Sequence, residues 1–382
     1  MKNLTLLILL VLTFSSSAQI TLTGDVTGNV SGTAATVTTA AQTNITSVGT
    51  LTALTVDNIN VNEMNRTQSR SEINRSLMKF PSSSAAYEAL FTNYTGDINN
   101  DGNDDFYIGG AKNQPGLLYL NLGNGKTALS IQKSFDKDAM FEDTTAAFFD
   151  ANGDGNLDLM IGSGGNEIGQ ENNYKVRLYI NNGKGRFDSA EKKLPSLRKN
   201  ISVITPYDFD NDGDIDVFVG ARSLVATYGI NPTHQFLENN GDGTFIDTTE
   251  KVAYDVKSAG MITDAIWKDI NKDGKKDLIT VSEWDTPKIY INNGRRLIKQ
   301  KSTLDDLFGM WNVVEAADLD NDGDIDFILG NQGSNTIHKT SSENPVKMWV
   351  NDFDNNGTIE QIMTNHKNGK DYPIHMKKEL TA

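Results

Sequence analysis

The chain has 382 residues, enough for one large repeat domain with additional segments. It carries 35 Lys and Arg residues against 50 Asp and Glu residues, a formal net charge of −15 at pH 7. This acidic balance argues against a nucleic-acid partner, because binding to phosphates needs a basic face. There is no cysteine, which excludes disulfides and thiolate metal sites and leaves bound metal as a candidate for stabilising the fold.

Residues 1–18 have the pattern of an export signal. Lys2 gives a positive start, residues 4–12 form an apolar run broken only by Thr5, and Ser17 and Ala18 offer a small-residue cleavage site. A run of about ten residues is too short to cross a bilayer, which takes roughly 20. No later stretch is apolar enough for a membrane helix. We therefore expect a secreted or cell-surface protein without a transmembrane segment.

Residues 19–84 differ in composition from the rest of the chain. Residues 19–61 are rich in Thr, Val, Gly and Ala, and they resemble the repetitive stalk segments of phage tail fibres and bacterial adhesins. Short alternations there suit β-structure, but a disordered spacer is an equal alternative. Residues 62–84 are expected to form a linker, with basic residues at roughly helical spacing that predict a short helix.

Residues 85–382 contain six copies of an Asp-rich nonapeptide, here called loops 1 to 6, each with glycine at position 6. Positions 1, 3, 5, 7 and 9 are, loop by loop, Asp97, Asn99, Asp101, Asn103 and Asp105; Asp150, Asn152, Asp154, Asn156 and Asp158; Asp208, Asp210, Asp212, Asp214 and Asp216; Asp269, Asn271, Asp273, Lys275 and Asp277; Asp318, Asp320, Asp322, Asp324 and Asp326; and Asp352, Asp354, Asn356, Thr358 and Glu360.

This spacing matches what calcium requires. Calcium takes six to eight hard oxygens from a flexible cage. Side chains at positions 1, 3 and 5 of a tight loop converge, glycine at position 6 permits the turn, the backbone carbonyl of position 7 reaches the ion, and position 9 completes the shell. The sequence therefore predicts five strong calcium sites and a weaker one in loop 6, where Asn356 and Glu360 replace aspartates.

The loops are not EF-hands, because position 12 never carries the required Glu. In chain order that position is Ile108, Ile161, Val219, Thr280, Leu329 and Met363. These residues belong to short apolar segments that predict strands and usually end in glycine. Further apolar segments precede glycine-rich turns such as Asn182-Gly183 and Asn240-Gly241, which indicate hairpins.

One repeat thus reads strand, loop, strand, connection, strand, turn, strand. Four antiparallel strands in about 50 to 60 residues is the size of a propeller blade. We predict an all-β chain whose β-propeller has six or seven four-stranded blades. Only 22 residues follow Glu360, so that either the propeller is incomplete or an N-terminal strand closes it.

The paired loop and following strand resemble the FG-GAP or VCBS repeats of integrin α-chain-like propellers. The motif order over roughly residues 85–380, including residues 263–267 and 352–357, is more similar to the ASPIC/UnbV-associated, cartilage-acidic-protein-like group. This resemblance implies a calcium-bound propeller on a secreted or surface protein, for which binding or adhesion is inferred.

The charge count supports filled sites. The loops hold 20 of the 50 acidic residues as ligands, and six calcium ions would bring the formal charge from −15 to about −3. Loops 3 and 5, with four carboxylate ligands each, are expected to bind most tightly. Loop 4 is expected to bind more weakly, because Lys275 and Lys276 lie inside it.

No catalytic constellation is evident, and we expect a protein that is not an enzyme. The histidines, His234, His338, His366 and His375, belong to no metalloprotease motif, and no Gly-x-Ser-x-Gly elbow is present. His234 and His338 are expected to be exposed in loops, and the four tryptophans are expected to be mainly core residues.

Long polar connections at residues 164–173 and 223–234 suit contact with an extracellular protein or glycan. Two alternatives stay open, a calcium-stabilised enzyme or accessory module acting on extracellular polysaccharide, and a purely structural spacer. No oligomeric state is predicted.

Overall fold

The computed structural model describes residues 94–165, 174–225, 227–332 and 340–374, all within one compact unit, Ser69–Ala382. The predicted export signal, Thr-rich segment and linker (residues 1–84) lie outside the described residues, as do His338 and His375. Among the described residues, no helix has both the length and the apolar character needed to span a bilayer.

Antiparallel sheets make up nearly all of the described fold, which confirms the all-β prediction. Sheet 1 consists of β1 (Thr95–Gly96), β2 (Asp105–Ile108), β3 (Leu117–Asn121) and β4 (Thr127–Ser130). Sheet 2 consists of β5 (Asp143–Phe149), β6 (Asp158–Ser163), β7 (Val176–Asn181) and β8 (Phe187–Ser189). Sheet 3 consists of β9 (Asn200–Tyr207), β10 (Asp216–Ser223), β11 (Gln235–Asn239) and β12 (Phe245–Asp247). Sheet 4 consists of β13 (Met261–Lys268), β14 (Asp277–Asp285), β15 (Lys288–Asn292) and β16 (Leu297–Gln300).

Each of these four sheets is a meander in which every strand pairs with its sequence neighbours. One of loops 1 to 4 joins the first strand to the second, and a glycine-rich turn joins the third to the fourth. This is the predicted order, and both connections lie at the same ends of the strands. In the described parts of the connections between sheets there are four short helical segments: α1 (Lys133–Lys137), α2 (Thr249–Val252) and the 3-10 turns Glu191–Lys193 and Thr303–Asp306.

The hydrophobic core lies between consecutive sheets. Phe148 and Leu159 of sheet 2 pack with Tyr107 and Leu118 of sheet 1, and equivalent clusters join sheet 2 to sheet 3 and sheet 3 to sheet 4. Central strands such as β6 are buried on both faces, so their sequences are continuously apolar instead of alternating. Each fully buried large apolar side chain stabilises this packing by roughly 1.5–3 kcal/mol.

The repeat shortens after sheet 4. Sheet 5 has β17 (Gly309–Ala317) and β18 (Asp326–Asn331), and it is continuous with sheet 4 through pairing of β17 with β14. Sheet 6 has β19 (Val346–Asn351), β20 (Glu360–Lys367) and β21 (Lys370–Pro373). The first aspartates of the loops are 53, 58, 61, 49 and 34 residues apart, and the last interval is too short for a four-stranded repeat. The described residues therefore hold four complete four-stranded sheets and two shorter ones, and the number of blades and the closure of the propeller stay predictions.

Candidate metal centres

All six loops share one backbone conformation. Position 6 is a glycine with φ between +81° and +97°, and position 4 also lies in the left-handed region, with φ between +59° and +72°. Residues other than Gly and Asn are strained in this left-handed region. Position 4 is accordingly Asn or Gly in five loops, and Lys272 in loop 4 is the exception.

The carboxylate at position 1 holds this turn closed. In loop 1 the N–H groups of Asp101 and Gly102 donate to the two carboxylate oxygens of Asp97 at 2.9 and 2.8 Å. The bond from the glycine at position 6 recurs in all six loops, at 2.8 to 3.2 Å. The sequence folds this way because the loop supplies its own acceptors for these N–H groups; that of Asp101 also donates to Asn99 Oδ1 at 3.0 Å.

The carboxylate at position 9 joins the loop to its own sheet. In sheet 3, Asp216 accepts the N–H of Phe209 at one oxygen (3.2 Å) and the N–H of Asn239 at the other (2.9 Å). Burial raises the pKa of Asp216 to about 7, and those of Asp105 and Asp158 to about 6. A cation that keeps these carboxyls ionised would offset the cost of burying them.

Three loops bring carboxylates from positions 1, 3 and 9 together. In each set one oxygen per residue lies within 4.8 Å of the others. The sets are Asp208, Asp210 and Asp216; Asp318, Asp320 and Asp326; and Asp352, Asp354 and Glu360. In loops 1, 2 and 4 position 3 is Asn99, Asn152 or Asn271, and its amide donates to the position 5 carboxylate at 3.1, 3.1 and 3.4 Å.

Loop 5 contains a direct indication that the residues fit a metal ion. Asp318 Oδ1, at position 1, is buried and has no hydrogen-bond partner among the described residues. It belongs to the cluster with Asp320 and Asp326. An unpartnered buried carboxylate oxygen is costly, and hard oxygen donors converging on one point are the ligands that calcium prefers. When bound there, the ion would supply charge neutralisation and a rigid loop, with no redox or acid–base role.

The side chains at position 7 turn towards neighbouring groups. Asn103 and Asn156 donate to the position 5 carboxylates at 2.8 Å, and Asn156 also accepts from Asn100 of loop 1 at 3.1 Å. Asp324 of loop 5 pairs with Lys272 of loop 4. The expected metal contact at this position is therefore the backbone carbonyl, as in the sequence argument.

Glycines in the hairpin turns lie against position 7. Gly241 has φ +79°, and a Cβ added there would lie 2.5 Å from Asp214 Oδ2. Gly183 has the same relation to Asn156, at 2.7 Å. The Asn-Gly turns thus pack against the loop as well as closing the hairpin, and a larger residue there would have to displace the side chain at position 7.

Loop 4 is electrostatically different from the rest. Lys275 lies 3.9 Å from Asp273 in an ion pair, and Lys272 pairs with Asp324. Lys275 would compete with a metal ion for Asp273 of loop 4, whereas Lys272 pairs with position 7 of loop 5 and takes no carboxylate of loop 4. That loop 4 binds calcium less tightly than loops 3 and 5 stays a prediction, which the position of Lys275 favours.

The prediction that His234 is exposed is wrong. Only 1% of its surface is accessible; its Nδ1 accepts from Ala221 N–H at 3.1 Å, and its Nε2 lies 3.0 Å from Gly260 O. Burial lowers the pKa of His234 to about 3. Its neutral ring bridges sheet 3 to the start of sheet 4, a structural position. Of the tryptophans, Trp267 lies in the core as expected, whereas Trp349 is 46% exposed.

Comparison with known families agrees with this architecture. The family model of the FG-GAP-like repeat matches residues 97–161, 163–219 and 269–329. The three matches end in β6, β10 and β18, the strands that follow loops 2, 3 and 5. The chain is an FG-GAP repeat protein. No curated protein is similar enough to count as a match.

Proposed function

We propose that this FG-GAP repeat protein is an exported, calcium-stabilised β-propeller that binds an extracellular protein or glycan. The buried, unpartnered carboxylate oxygen of Asp318, inside a cluster of three aspartates, is the observation that carries the calcium part. Five further loops of the same backbone conformation extend it to the whole domain. The motif order favours the ASPIC/UnbV-associated group within the FG-GAP repeat proteins.

Several features support binding as the role. FG-GAP repeats form propellers that often mediate adhesion or binding. Successive sheets pack face to face, so that their loops gather at the two ends of the strands, and bound metal would fix those loops at low entropic cost. Export is supported by the apolar run at residues 4–12 behind Lys2.

The test is calcium-dependent retention of partners by the full chain. The protein is immobilised in millimolar calcium and exposed to a panel of extracellular proteins and polysaccharides, then washed with a chelator. We expect at least one partner to be retained in calcium and released by the chelator. Release of reducing sugar from a polysaccharide would favour the enzyme alternative instead, and retention of nothing would favour the structural spacer.

A further inference from the structure

The first strands of sheets 2 to 5 each contain a β-bulge. The bulge lies at the end of the strand opposite to loops 2 to 5. The register of each strand skips one residue against its second strand. The extra residues are Thr144, Ser202, Thr263 and Asn312. A bulge turns one side chain out of the alternation, and bulges concentrate at functional sites. All four side chains line one cavity of about 680 Å³.

Three of the four bulge residues are fixed by the next sheet. Thr144 donates to Ile201 O at 2.6 Å, Ser202 to Ile262 O at 2.5 Å and Thr263 to Trp311 O at 2.8 Å. Their hydroxyl protons are therefore committed, and their oxygens offer the cavity acceptor lone pairs only. Asn312, the last of the series, is exposed; one N–H of its amide donates to Met310 O of its own strand at 3.0 Å, which leaves the second N–H for a ligand.

A fixed cation lies at the same cavity. Arg222 donates from Nη2 and Nε to the buried carboxylate of Glu283, at 2.6 and 3.2 Å, and half of its side chain is exposed. Its Nη1 has no partner among the described residues, so two N–H donors are left for a ligand. Glu283 also accepts from Tyr228 OH at 2.8 Å, which in turn accepts from Trp284 Nε1 at 2.9 Å.

One residue of this network, Trp284, has a strained backbone conformation. Trp284 has φ +58°, an unfavourable value for an aromatic residue, which costs of order 1–3 kcal/mol and persists only where the surroundings hold it. The hydrogen bond to Tyr228 is one contact that holds it. Arg222 and Tyr228 are thereby positioned in advance of any ligand.

The chemistry of the cavity selects its ligand class. Hydroxyl and carboxylate acceptors (Thr144, Glu142) face guanidinium and amide donors (Arg222, Asn312), a mixture that suits groups able both to donate and to accept. Glu283 balances the charge of Arg222, and Glu142 adds a negative charge, so an anion would gain little. A volume of about 680 Å³ suits a small ligand, whereas protein partners need a broad contact area.

We propose that this cavity binds a neutral saccharide unit of an extracellular glycan, with Arg222, Asn312 and Tyr228 as contact residues. The proposal rests on the proposed function and narrows it, because it selects glycan over protein and assigns the site. The sugar hydroxyls would accept from Arg222 and Asn312 and donate to the bulge hydroxyls. The ring of Tyr228 would cover the apolar face of the sugar.

The experiment uses the full chain in millimolar calcium against immobilised mannan, xylan and β-glucan, with alginate as an acidic comparison. Arg222→Gln and Asn312→Ala are the test variants. Arg295→Gln, at an exposed residue in the turn between β15 and β16, is the matched control at the opposite end of the strands. We expect a neutral polysaccharide to bind the wild type, both test variants to bind at least tenfold more weakly, and the control to stay within twofold.

Melting curves identify any variant that fails to fold, and Asn312→Ala removes only an exposed side chain. Full affinity in both test variants would overturn the cavity assignment while leaving the proposed function standing. Binding to alginate alone would overturn the neutral ligand class. Binding of protein partners without any polysaccharide would overturn the saccharide proposal. The proposed function itself would be overturned only if the full chain retained no protein and no polysaccharide in calcium.

Discussion

The side-chain amide of Asn181 donates a hydrogen bond to the backbone carbonyl of Ile98 at 2.7 Å, which ties the third strand of sheet 2 to position 2 of loop 1. The same relationship recurs from Asn239 to Ala151 O, at 2.9 Å, and from Asn292 to Phe209 O, at 3.1 Å. Each of these asparagines also donates its backbone N–H to the position 9 carboxylate of its own loop. The hydrogen bonds of these three asparagines therefore link loops 1 to 4 in series.

Replacing Asn239 with Ala is expected to destabilise the fold. The side chain is buried and donates to both Ala151 O and Ile215 O, so its loss leaves two carbonyls without this donor and costs about 2 kcal/mol. Asn121→Ala is the matched control, because Asn121 occupies the same strand position with no cross-sheet bond among the described residues. Urea unfolding in calcium measures both variants, and equal losses would contradict the cross-sheet role.

Asp320→Asn is expected to weaken calcium binding by loop 5. The substitution keeps the shape of the side chain, removes one charge and gives loop 5 the position 3 residue of loops 1, 2 and 4. Calcium affinity depends on the number of charged ligands, so we expect a roughly tenfold loss at this site. Competition with a chromophoric chelator should show one fewer tight site. An unchanged titration would show that position 3 does not bind the ion.

Lys272→Asn is expected to stabilise loop 4. Lys272 has φ +61°, where a non-glycine side chain costs roughly 1–2 kcal/mol, and Asn tolerates this region better. The exposed ion pair with Asp324 that would be lost contributes little. We expect about 0.5–1 kcal/mol of added stability and tighter calcium binding. Lys301→Asn removes the same charge outside the loops, and an equal gain there would attribute the effect to charge alone.

The neutral ring of His234 makes stability depend on pH. Burial, with Lys199 and Lys288 nearby, lowers the pKa of His234 to about 3, against about 6.5 in an unfolded chain. The folded state thus binds fewer protons between these values, and the stability from this residue is lost as pH falls through that window, by up to about 1.4 kcal/mol per pH unit.

His234→Gln isolates this effect, since glutamine does not titrate and the carboxyl groups are common to both proteins. Urea unfolding at pH 7, 6 and 5 in fixed calcium should show the advantage of the wild type over the variant shrinking as the pH falls. A constant difference would show that the ring titrates normally in the folded state.

The sequence predicted the features that depend on local pattern. Glycine at position 6 and alternate aspartates located all six loops, and the apolar segments with Asn-Gly turns predicted the order of strands. These features follow from contacts within about ten residues. The 22 residues after Glu360 left two predictions open, an incomplete propeller or closure by an N-terminal strand, and the 34 residues from Asp318 to Asp352 are the shortest interval between loops.

The contacts between sheets were beyond that local pattern. Asn181 and Ile98 are 83 residues apart, and an Asn before a turn is explained locally by the hairpin alone. The burial of His234 depends on Gly260 of the next sheet. The bulge at Thr144 adds a single residue to a strand, which leaves the short apolar pattern unchanged. The glycines near the ends of the second strands were the one sequence signal of close packing between sheets. A Cβ at Gly162, for example, would lie 2.5 Å from Ile201 Cγ2 of the next sheet.

Thermal unfolding of the full chain in millimolar calcium and in excess chelator tests the central claim most directly. A site filled at a hundred times its Kd adds about 2.7 kcal/mol to the free energy of unfolding, so several sites should raise Tm by about 10 °C or more. Magnesium at the same concentration is the control and should raise Tm much less, because it demands a stricter octahedral geometry. The same Tm in calcium and in chelator would contradict the account, since the six loops would then be acidic turns that hold no metal.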